Sequence, residues 1–265
     1  GAGKLAPENT LAAFRHGASH GYTMFECDVK LSADGVPFLL HDSTLQRTTS
    51  GTGTAGEHPW SALSQLDAGG WHGRSHAGEP LPTLANVARF CLTNGFMLNI
   101  EIKPTPGQEA ETGRAVALAA EALWADTGVG VGVGVGVGVG VGVGGHCGGA
   151  ESPPALTEPP RVPPLLTSFQ PDSLAAAQAA APALPRGLLL DTLWNGWLDT
   201  ARRLGCVAVV CNHTLWNAHT VAQMHAAGMR CISYTVNDEG AAQRLIDLGT
   251  DGIITDRVDL FSPVA

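Results

Sequence analysis

Two short stretches with the same alternating pattern decide the architecture of this chain. The first is Phe25-Glu26-Cys27-Asp28-Val29, and the second is Asn99-Ile100-Glu101-Ile102-Lys103. Because side chains two residues apart in a β-strand point to the same face, Glu26 and Asp28 share one face of the first strand. Glu101 and Lys103 share one face of the second strand for the same reason. The opposite faces are apolar, so the sequence predicts two core strands that present acids to a common site.

Three carboxylates in one place repel one another unless a cation lies among them. Carboxylate oxygens are hard ligands, which suit Ca²⁺ or Mg²⁺. We therefore expect Glu26, Asp28 and Glu101 to bind one divalent cation, either Ca²⁺ or Mg²⁺. The alternation alone also fits a solvent-facing edge, and Lys103 also fits a simple ion-pair partner of Glu101.

Beyond these stretches, apolar runs alternate with helical patterns, which indicates βαβ units and a parallel sheet. The predicted parallel strands lie at 22–31, 96–103, 164–169, 187–191, 206–212, 230–236 and 252–255. A length of 265 residues suits one α/β barrel. The predicted fold class is therefore α/β, a TIM (β/α)8 barrel forming a single domain over residues 1–265. A closed barrel has one strand more than these seven, and we expect the missing first strand to precede Gly1.

A hairpin follows the first predicted strand. Asp34-Gly35 is a strong turn signal, and the apolar run Val36–Leu40 comes directly after it. A parallel neighbour would need a crossover of a dozen or more residues, so we expect this run to pair antiparallel. Counting back from the turn places His41 near Asp28.

Two segments interrupt the alternation. Residues 43–82 are rich in Thr, Gly, Ser and Trp and show little periodicity, so we interpret them as an inserted excursion. Residues 128–163 contain a Val-Gly repeat that continues into Gly- and Pro-rich sequence. Gly at every second position makes an ordered strand too costly in backbone entropy. We expect this low-complexity insertion to be a disordered surface loop without a catalytic role.

The composition argues against some classes of function. A formal net charge of −9 disfavours nucleic-acid binding, which calls for a basic surface. No apolar run reaches the roughly 18 residues that indicate a membrane span. The six cysteines form no Cys-x-x-Cys pair, and most lie in apolar runs, which favours buried thiols in a reducing cytoplasm. The sequence does not indicate an oligomeric state.

The motifs, taken in order, resemble those of glycerophosphodiester phosphodiesterases, most closely the compact cytosolic bacterial form. The eight that carry the resemblance are Pro7-Glu8-Asn9-Thr10, Glu26-Cys27-Asp28-Val29, Asp34-Gly35-Val36-Pro37, His41-Asp42 with Thr44-Leu45 and Arg47-Thr48, Asn99-Ile100-Glu101-Ile102-Lys103-Pro104, Ser168-Phe169, Tyr234-Thr235-Val236-Asn237 and Asp251-Gly252-Ile253-Ile254-Thr255-Asp256. Each motif alone says little, but eight in this order are specific.

The resemblance implies a TIM barrel that hydrolyses glycerophosphodiesters to glycerol 3-phosphate and an alcohol, using one divalent metal. Carried over by position, it gives roles to metal ligands Glu26, Asp28 and Glu101, catalytic His41, phosphate-binding Lys103 and cleft-lining Tyr234. The family's first strand ends in His-Arg-Gly, which supplies a second catalytic histidine and a phosphate-binding arginine. The present sequence starts at Gly1, just after the place where that pair would stand.

The implied chemistry needs two proton transfers, one from the attacking hydroxyl and one to the leaving oxygen. His41 is expected to perform one of them. Glu8 is expected to be structural, either capping the first loop or holding the family's arginine.

Two other functions stay open at this point. A truncated or decayed barrel would bind metal or glycerophosphate without turnover, which the Val-Gly repeat also fits. A related barrel acting on phospholipid head groups at a membrane would need an apolar or basic surface, which the acidic balance disfavours.

Overall fold

The computed structural model describes residues 2–125 and 161–263. The strands are β1 (Met24–Leu31), β2 (Pro37–Leu39), β3 (Met97–Ile102), β4 (Leu165–Ser168), β5 (Arg186–Leu190), β6 (Ala208–Asn212), β7 (Arg230–Tyr234) and β8 (Gly252–Ile253). The helices are α1 (Leu11–Ser19), α2 (Trp60–Leu63), α3 (Leu84–Asn94), α4 (Glu109–Trp124), α5 (Pro171–Ala180), α6 (Trp197–Arg203), α7 (Ala218–Ala226) and α8 (Glu239–Asp247). Apart from residues 161–163, the predicted Val-Gly insertion at 128–163 lies outside the described residues.

The strands form one sheet in the order β2-β1-β3-β4-β5-β6-β7-β8. β1 and β2 pair antiparallel, with Val29 opposite Leu39, as the Asp-Gly turn predicts. All other pairs in this sheet are parallel. The predicted hairpin and the predicted set of parallel strands are both confirmed.

The sheet is strongly curled. In a flat sheet β1 and β8, six strand spacings apart, would be separated by about 29 Å. Met24 of β1 and Gly252 of β8 nevertheless line one cavity together with Leu165 of β4. The strands therefore bend around a common interior, which confirms the α/β barrel type of fold.

The outward face of the sheet packs against helices. Phe25, Cys27 and Val29 belong to one core cluster with residues of α3 and α4. A second cluster joins β5, β6 and β7 to α6, α7 and α8. The five described cysteines are buried and free, as expected of thiols in apolar runs.

Residues 43–82 pack on a small apolar cluster of their own, which includes Leu45 and Leu63 and adjoins Phe38 of β2. That this segment is an insertion, and that residues 1–265 form a single domain, stay predictions. In the described parts of the chain, no helix combines the length and the apolar character that a membrane-spanning segment requires.

A cavity of about 480 Å³ lies between β8 and β1, lined mainly by apolar side chains such as Met24, Ile253 and Val258. Within the described sheet these two strands are not hydrogen-bonded neighbours. That an additional parallel strand belongs between them stays a prediction.

The close contact of α4 with α5 gives a stability prediction. A Cβ on Gly113 would lie 2.1 Å from the carbonyl oxygen of Ser173, and the Ser173 hydroxyl donates to the Glu109 carbonyl at 2.9 Å. Alanine normally stabilises a helix interior by about 1 kcal/mol relative to glycine. Here we expect Gly113→Ala to destabilise the fold by about 1–3 kcal/mol, the usual range for overpacking.

Urea unfolding of Gly113→Ala measures this change. The matched control is Gly240→Ala in the exposed first turn of α8, where the new Cβ approaches only the Asp238 carboxylate, at 3.2 Å. A Gly113 variant as stable as the Gly240 variant would contradict the described approach of the helices.

Candidate active site

The register of β1 and β3 brings the predicted acids together. The two strands are parallel neighbours, with Glu26 opposite Asn99 and Asp28 opposite Glu101. Glu26, Asp28 and Glu101 each offer a carboxylate oxygen, and these oxygens lie within 4.8 Å of one another. The alternation in sequence has therefore placed three acids on one inward-facing patch.

Burial makes this patch electrostatically costly. Burial, and then the negative charge of Asp28, raises the pKa of Glu26 well above its ordinary value. The same two causes raise the pKa of Glu101 to about 7, against the opposing effect of Lys103. Because burial and the neighbouring negative charge disfavour the ionised forms, a cation bound at this patch would stabilise them.

Lys103 supplies one positive charge to this patch. Its Nζ lies 3.0 Å from Glu101 Oε1 and 3.6 Å from Asp28 Oδ1. Burial disfavours the ammonium, but Asp28 and Glu101 outweigh burial and raise its pKa. Nζ also lies 5.8 Å from the ring centre of Phe169, within the range of a cation–π contact.

Asn9 holds Asp28 in place, a role that sequence reasoning missed. Its amide Nδ2 donates to Asp28 Oδ2 at 2.8 Å, and its Oδ1 accepts the Asp28 backbone N–H at 2.9 Å. Asn9 has a φ of 56°, a left-handed conformation that asparagine tolerates better than most residues. The available signal was its position in the Pro-Glu-Asn-Thr motif, before the helix cap Thr10.

His41 lies beside this patch, as the hairpin count predicts. Its Nε2 is 3.1 Å from Lys103 Nζ, and its Nδ1 is 2.8 Å from Asp42 Oδ1. Leu40 donates its backbone N–H to the Asp28 carbonyl at 3.1 Å, which holds the end of the hairpin against β1.

Glu8 pairs with Arg47. Two bonds join the side chains, Arg47 Nη2 to Glu8 Oε1 at 2.6 Å and Arg47 Nη1 to Glu8 Oε2 at 3.0 Å. This contact agrees with the expectation that Glu8 is structural, but the arginine that it holds belongs to the excursion at 43–82. Arg47 lies in one of the family motifs, and no local pattern indicated its partner.

Tyr234 lies on the other side of the cleft. Its hydroxyl donates to the Leu190 carbonyl at 2.9 Å, and its ring meets that of Phe169 edge to face at 5.8 Å between centroids. Burial, and then the charge of Asp191, raises its pKa. The aromatic pair therefore forms a partly apolar wall opposite the acids.

One cavity of about 490 Å³ connects these groups at the carboxyl ends of the strands. All six sequence-predicted site residues line it, namely Glu26, Asp28, His41, Glu101, Lys103 and Tyr234. His41 is the one histidine among its lining residues in the described parts of the chain. The structure thus brings together every predicted site residue.

Lys30 was missed although the strand pattern could have found it. It lies two residues after Asp28, on the same face of β1, and is only 3% exposed. Burial, and then the charge of Lys103, lowers its pKa to about 8. Its Nζ donates to the Lys103 carbonyl at 3.4 Å, so it supports the site from outside the cavity lining.

None of the other histidines in the described parts of the chain lines this cavity. His213 follows β6 and is not among the cavity-lining residues, and neither are His58, His72 and His76. His225, Cys231 and Asp251 form a second group of metal-ligand types at the amino end of β7.

That second group has a structural explanation. Asp251 accepts bonds from Arg230 Nη1 and from the Cys231 backbone N–H, both at 2.7 Å. Arg230 therefore already supplies the charge that balances this carboxylate.

Comparison with known proteins identifies the family. The family model described as the glycerophosphoryl diester phosphodiesterase family matches residues 1–127 and 162–260. The chain therefore belongs to the glycerophosphodiester phosphodiesterase family. Enzymes of this family hydrolyse glycerophosphodiesters and generally depend on a divalent metal, for which this chain has candidate acidic ligands.

The sequence of one relative aligns with this chain over most of its length. A glycerophosphodiester phosphodiesterase of Caldanaerobacter subterraneus is 29% identical over 261 residues, covering 97% of this chain and 91% of the relative.

Solved structures agree as well. An Oleispira antarctica phosphodiesterase in complex with the product sn-glycerol-3-phosphate superposes with a TM-score of 0.77 at 29% identity, covering 97% of this chain and 90% of the other. A glycerophosphodiester phosphodiesterase of Agrobacterium tumefaciens gives 0.73 at 25% identity, covering 100% and 96%.

The raised pKa of Glu101 predicts a pH-dependent cost in metal-free protein. From its ordinary value of 4.5 up to about 7, folded Glu101 keeps a proton that the unfolded chain has released. This contribution therefore makes stability fall as pH rises through that window. We expect Glu101→Gln, measured with a chelator present, to raise the urea midpoint at about pH 8 and to raise it less at about pH 5.

The control for this measurement is Glu109→Gln. The Gly107 N–H bond lowers the pKa of the partly exposed Glu109, so its carboxylate stabilises the fold above its ordinary pKa and its removal should lower the midpoint slightly at about pH 8. Equal losses of stability for both variants would contradict the electrostatic cost assigned to Glu101.

Proposed function

We propose that this chain hydrolyses glycerophosphodiesters to glycerol 3-phosphate and an alcohol. In this proposal one divalent cation, Ca²⁺ or Mg²⁺, is bound by Glu26, Asp28 and Glu101. The observation that carries it is the group of three carboxylates, one buried and two partly buried, with ligand oxygens within 4.8 Å of one another, beside one ammonium. The glycerol 3-phosphate bound to the Oleispira antarctica relative supports the choice of substrate class.

The carboxylates fit a divalent cation. Carboxylate oxygens are the ligands that Ca²⁺ and Mg²⁺ prefer. Burial, together with the negative charge of Asp28, raises the pKa values of Glu26 and Glu101, so a cation bound among these carboxylates would favour their ionised forms. A bound cation would supply positive charge next to the phosphate oxygens, where negative charge builds up during attack. Asn9 contributes by fixing the orientation of Asp28.

We assign Lys103 to the phosphate. Its ammonium lines the cleft between His41 and Glu101, so an anionic diester bound there meets a fixed positive charge. The raised pKa keeps the ammonium protonated at neutral pH. Lys30 lies beneath and bonds the Lys103 carbonyl, which restrains the backbone that carries this charge.

We assign one proton transfer to His41. The carboxylate of Asp42 can only accept, so it favours a proton on Nδ1 of the imidazole. Nε2 then carries the lone pair on the side of Lys103, where it can take a proton from an attacking hydroxyl or return one to the leaving oxygen.

Phe169 and Tyr234 would bound the substrate on the opposite side. Their edge-to-face packing and the bond from Tyr234 to the Leu190 carbonyl hold this wall rigid. An apolar wall opposite charged groups suits the carbon skeleton of glycerol, whose hydroxyls can turn toward the polar side.

We also propose that the protein acts in the cytoplasm on a small-molecule substrate, without a nucleic-acid or membrane partner. The support is the net charge of −9 and the five free, buried thiols among the described cysteines.

Removal of a metal ligand tests the proposal. We expect Glu26→Gln to lower glycerol 3-phosphate release by on the order of 100-fold, because the developing charge loses its stabilisation. Chelation of the wild-type protein should have the same effect. The measurement is enzymatic detection of glycerol 3-phosphate released from glycerophosphocholine or glycerophosphoglycerol.

The control is Asp199→Asn, which alters a carboxylate that is 83% exposed on α6. Calorimetric binding of glycerophosphocholine by the wild-type protein, with no product over hours, would instead show a barrel that binds without turnover.

Replacement of His41 tests the proton transfer. We expect His41→Gln to lower kcat by about 10²–10⁴-fold, the usual contribution of a general acid or base, while calorimetric Mn²⁺ binding is retained. His213→Gln, outside the cleft lining, serves as the control. Full activity of the His41 variant would remove the assigned role.

A further inference from the structure

The guanidinium of Arg47 joins two acidic side chains that line the cleft. Toward Asp42, Nε lies 2.6 Å from Oδ2 and Nη2 lies 2.9 Å from Oδ1. Toward Glu8, Nη2 and Nη1 lie 2.6 and 3.0 Å from the two carboxylate oxygens. Both contacts are bidentate, the geometry in which arginine recognises carboxylates best and which lysine cannot reproduce.

The contacts of Arg47 continue through Asp42 to the candidate site. Asp42 Oδ1, which accepts from Arg47, also lies 2.8 Å from His41 Nδ1. His41 Nε2 in turn lies 3.1 Å from Lys103 Nζ. One unbroken series of polar contacts therefore runs from Glu8 through Arg47, Asp42 and His41 to Lys103.

The donors and acceptors of this series fix the state of the imidazole. An ionised Asp42 only accepts and an ammonium only donates, so Nδ1 must carry the proton and Nε2 the lone pair. Asp42 can impose this tautomer only while its carboxylate stays ionised and turned toward the ring. Arg47 secures both conditions, since it binds both oxygens and balances their charge.

We propose that Arg47 is a positioning residue that acts through Asp42 to hold His41 with its proton on Nδ1 and its lone pair facing the cleft. This role rests on the proposed function only where activity is the measurement. It differs from a purely structural tie between Glu8 and the excursion, because it predicts a change in the state of the His41 ring.

An exposed arginine–carboxylate pair usually contributes little to stability. Arg47 is 46% exposed, but its guanidinium lies between two carboxylates that would otherwise repel each other. Its loss therefore leaves the negative charges of Glu8 and Asp42 without a cation between them, and their repulsion frees Asp42 to turn away from His41.

Kinetics of Arg47→Ala give the first test. We expect kcat to fall on the order of 10–100-fold, as for other residues that orient a functional imidazole, with KM changed less than about threefold. Arg47→Lys should recover only part of the loss, because lysine makes a single-point contact. Unchanged kcat in Arg47→Ala would overturn the proposal.

Two comparisons separate positioning from a structural role. If Arg47 acts through Asp42, the double variant Asp42→Asn/Arg47→Ala should be no slower than Asp42→Asn alone. Glu8→Gln, which leaves the Asp42 contact intact, should cost less than Arg47→Ala. Independent, multiplying losses in the double variant, or equal losses from Glu8→Gln and Arg47→Ala, would overturn the proposal.

The matched control is Arg230→Ala. Arg230 also binds an aspartate, Asp251, at 2.7 Å, but at the opposite end of the barrel from the cleft. Its removal breaks a comparable arginine–aspartate pair at the surface and should leave kcat unchanged.

A spectroscopic measurement tests the role of Arg47 even if the protein turns over no glycerophosphodiester. Nitrogen-15 NMR of labelled histidine distinguishes a ring N–H from a lone pair. Without the Asp42 contact the ring can also turn away from Lys103, so we expect neutral wild-type His41 to show the proton on Nδ1 and Arg47→Ala to show a mixture of both tautomers. The same single tautomer in both proteins would overturn the proposal, whereas absence of turnover alone would count only against the proposed function.

Discussion

The repulsion among three carboxylates, one buried and two partly buried, is the constraint on which the rest of this site depends. The register of β1 against β3 forces Glu26, Asp28 and Glu101 together, and their partial burial limits the screening of their charges by water. The fold tolerates this cost at the carboxyl ends of its strands, where barrel enzymes place their chemistry. The raised pKa values of Glu26 and Glu101 express the same unfavourable energy.

The surrounding groups reduce this repulsion or restrain the acids in different ways. Lys103 offsets part of the charge directly, and Asn9 restrains Asp28 by two hydrogen bonds. The contacts from Lys103 through His41 to Asp42 then couple the acidic patch to the cleft wall. The curl of the sheet completes the arrangement, because it brings Tyr234 of β7 to the cavity that β1 and β3 open.

Local patterns predicted the parts of the site that depend on local geometry. The period of two along a strand places Glu26 and Asp28 inward whatever the rest of the chain does, and the Asp-Gly turn fixes the return path that carries His41. The same period of two places Lys30 inward. A buried lysine contradicts the usual preference of lysine for exposure, so this residue was overlooked.

The partners of Asn9 and Arg47 could not be predicted in this way. The Asn9 contact depends on a left-handed backbone at φ 56° and on how the first loop crosses β1. The Arg47 contacts join residues 39 positions apart, from two irregular segments with no shared period. Such contacts follow from tertiary packing, which propensity and periodicity do not encode. The family motifs included both residues without indicating their partners.

Anomalous diffraction from crystals soaked with Mn²⁺ tests the central claim most directly. Mn²⁺ prefers the same oxygen ligands as Mg²⁺. The account predicts a single strong peak about 2.0–2.4 Å from oxygens of Glu26, Asp28 and Glu101, the range for hard divalent cations. Well-ordered carboxylates without a peak, or a peak only at His225, Cys231 and Asp251, would contradict it.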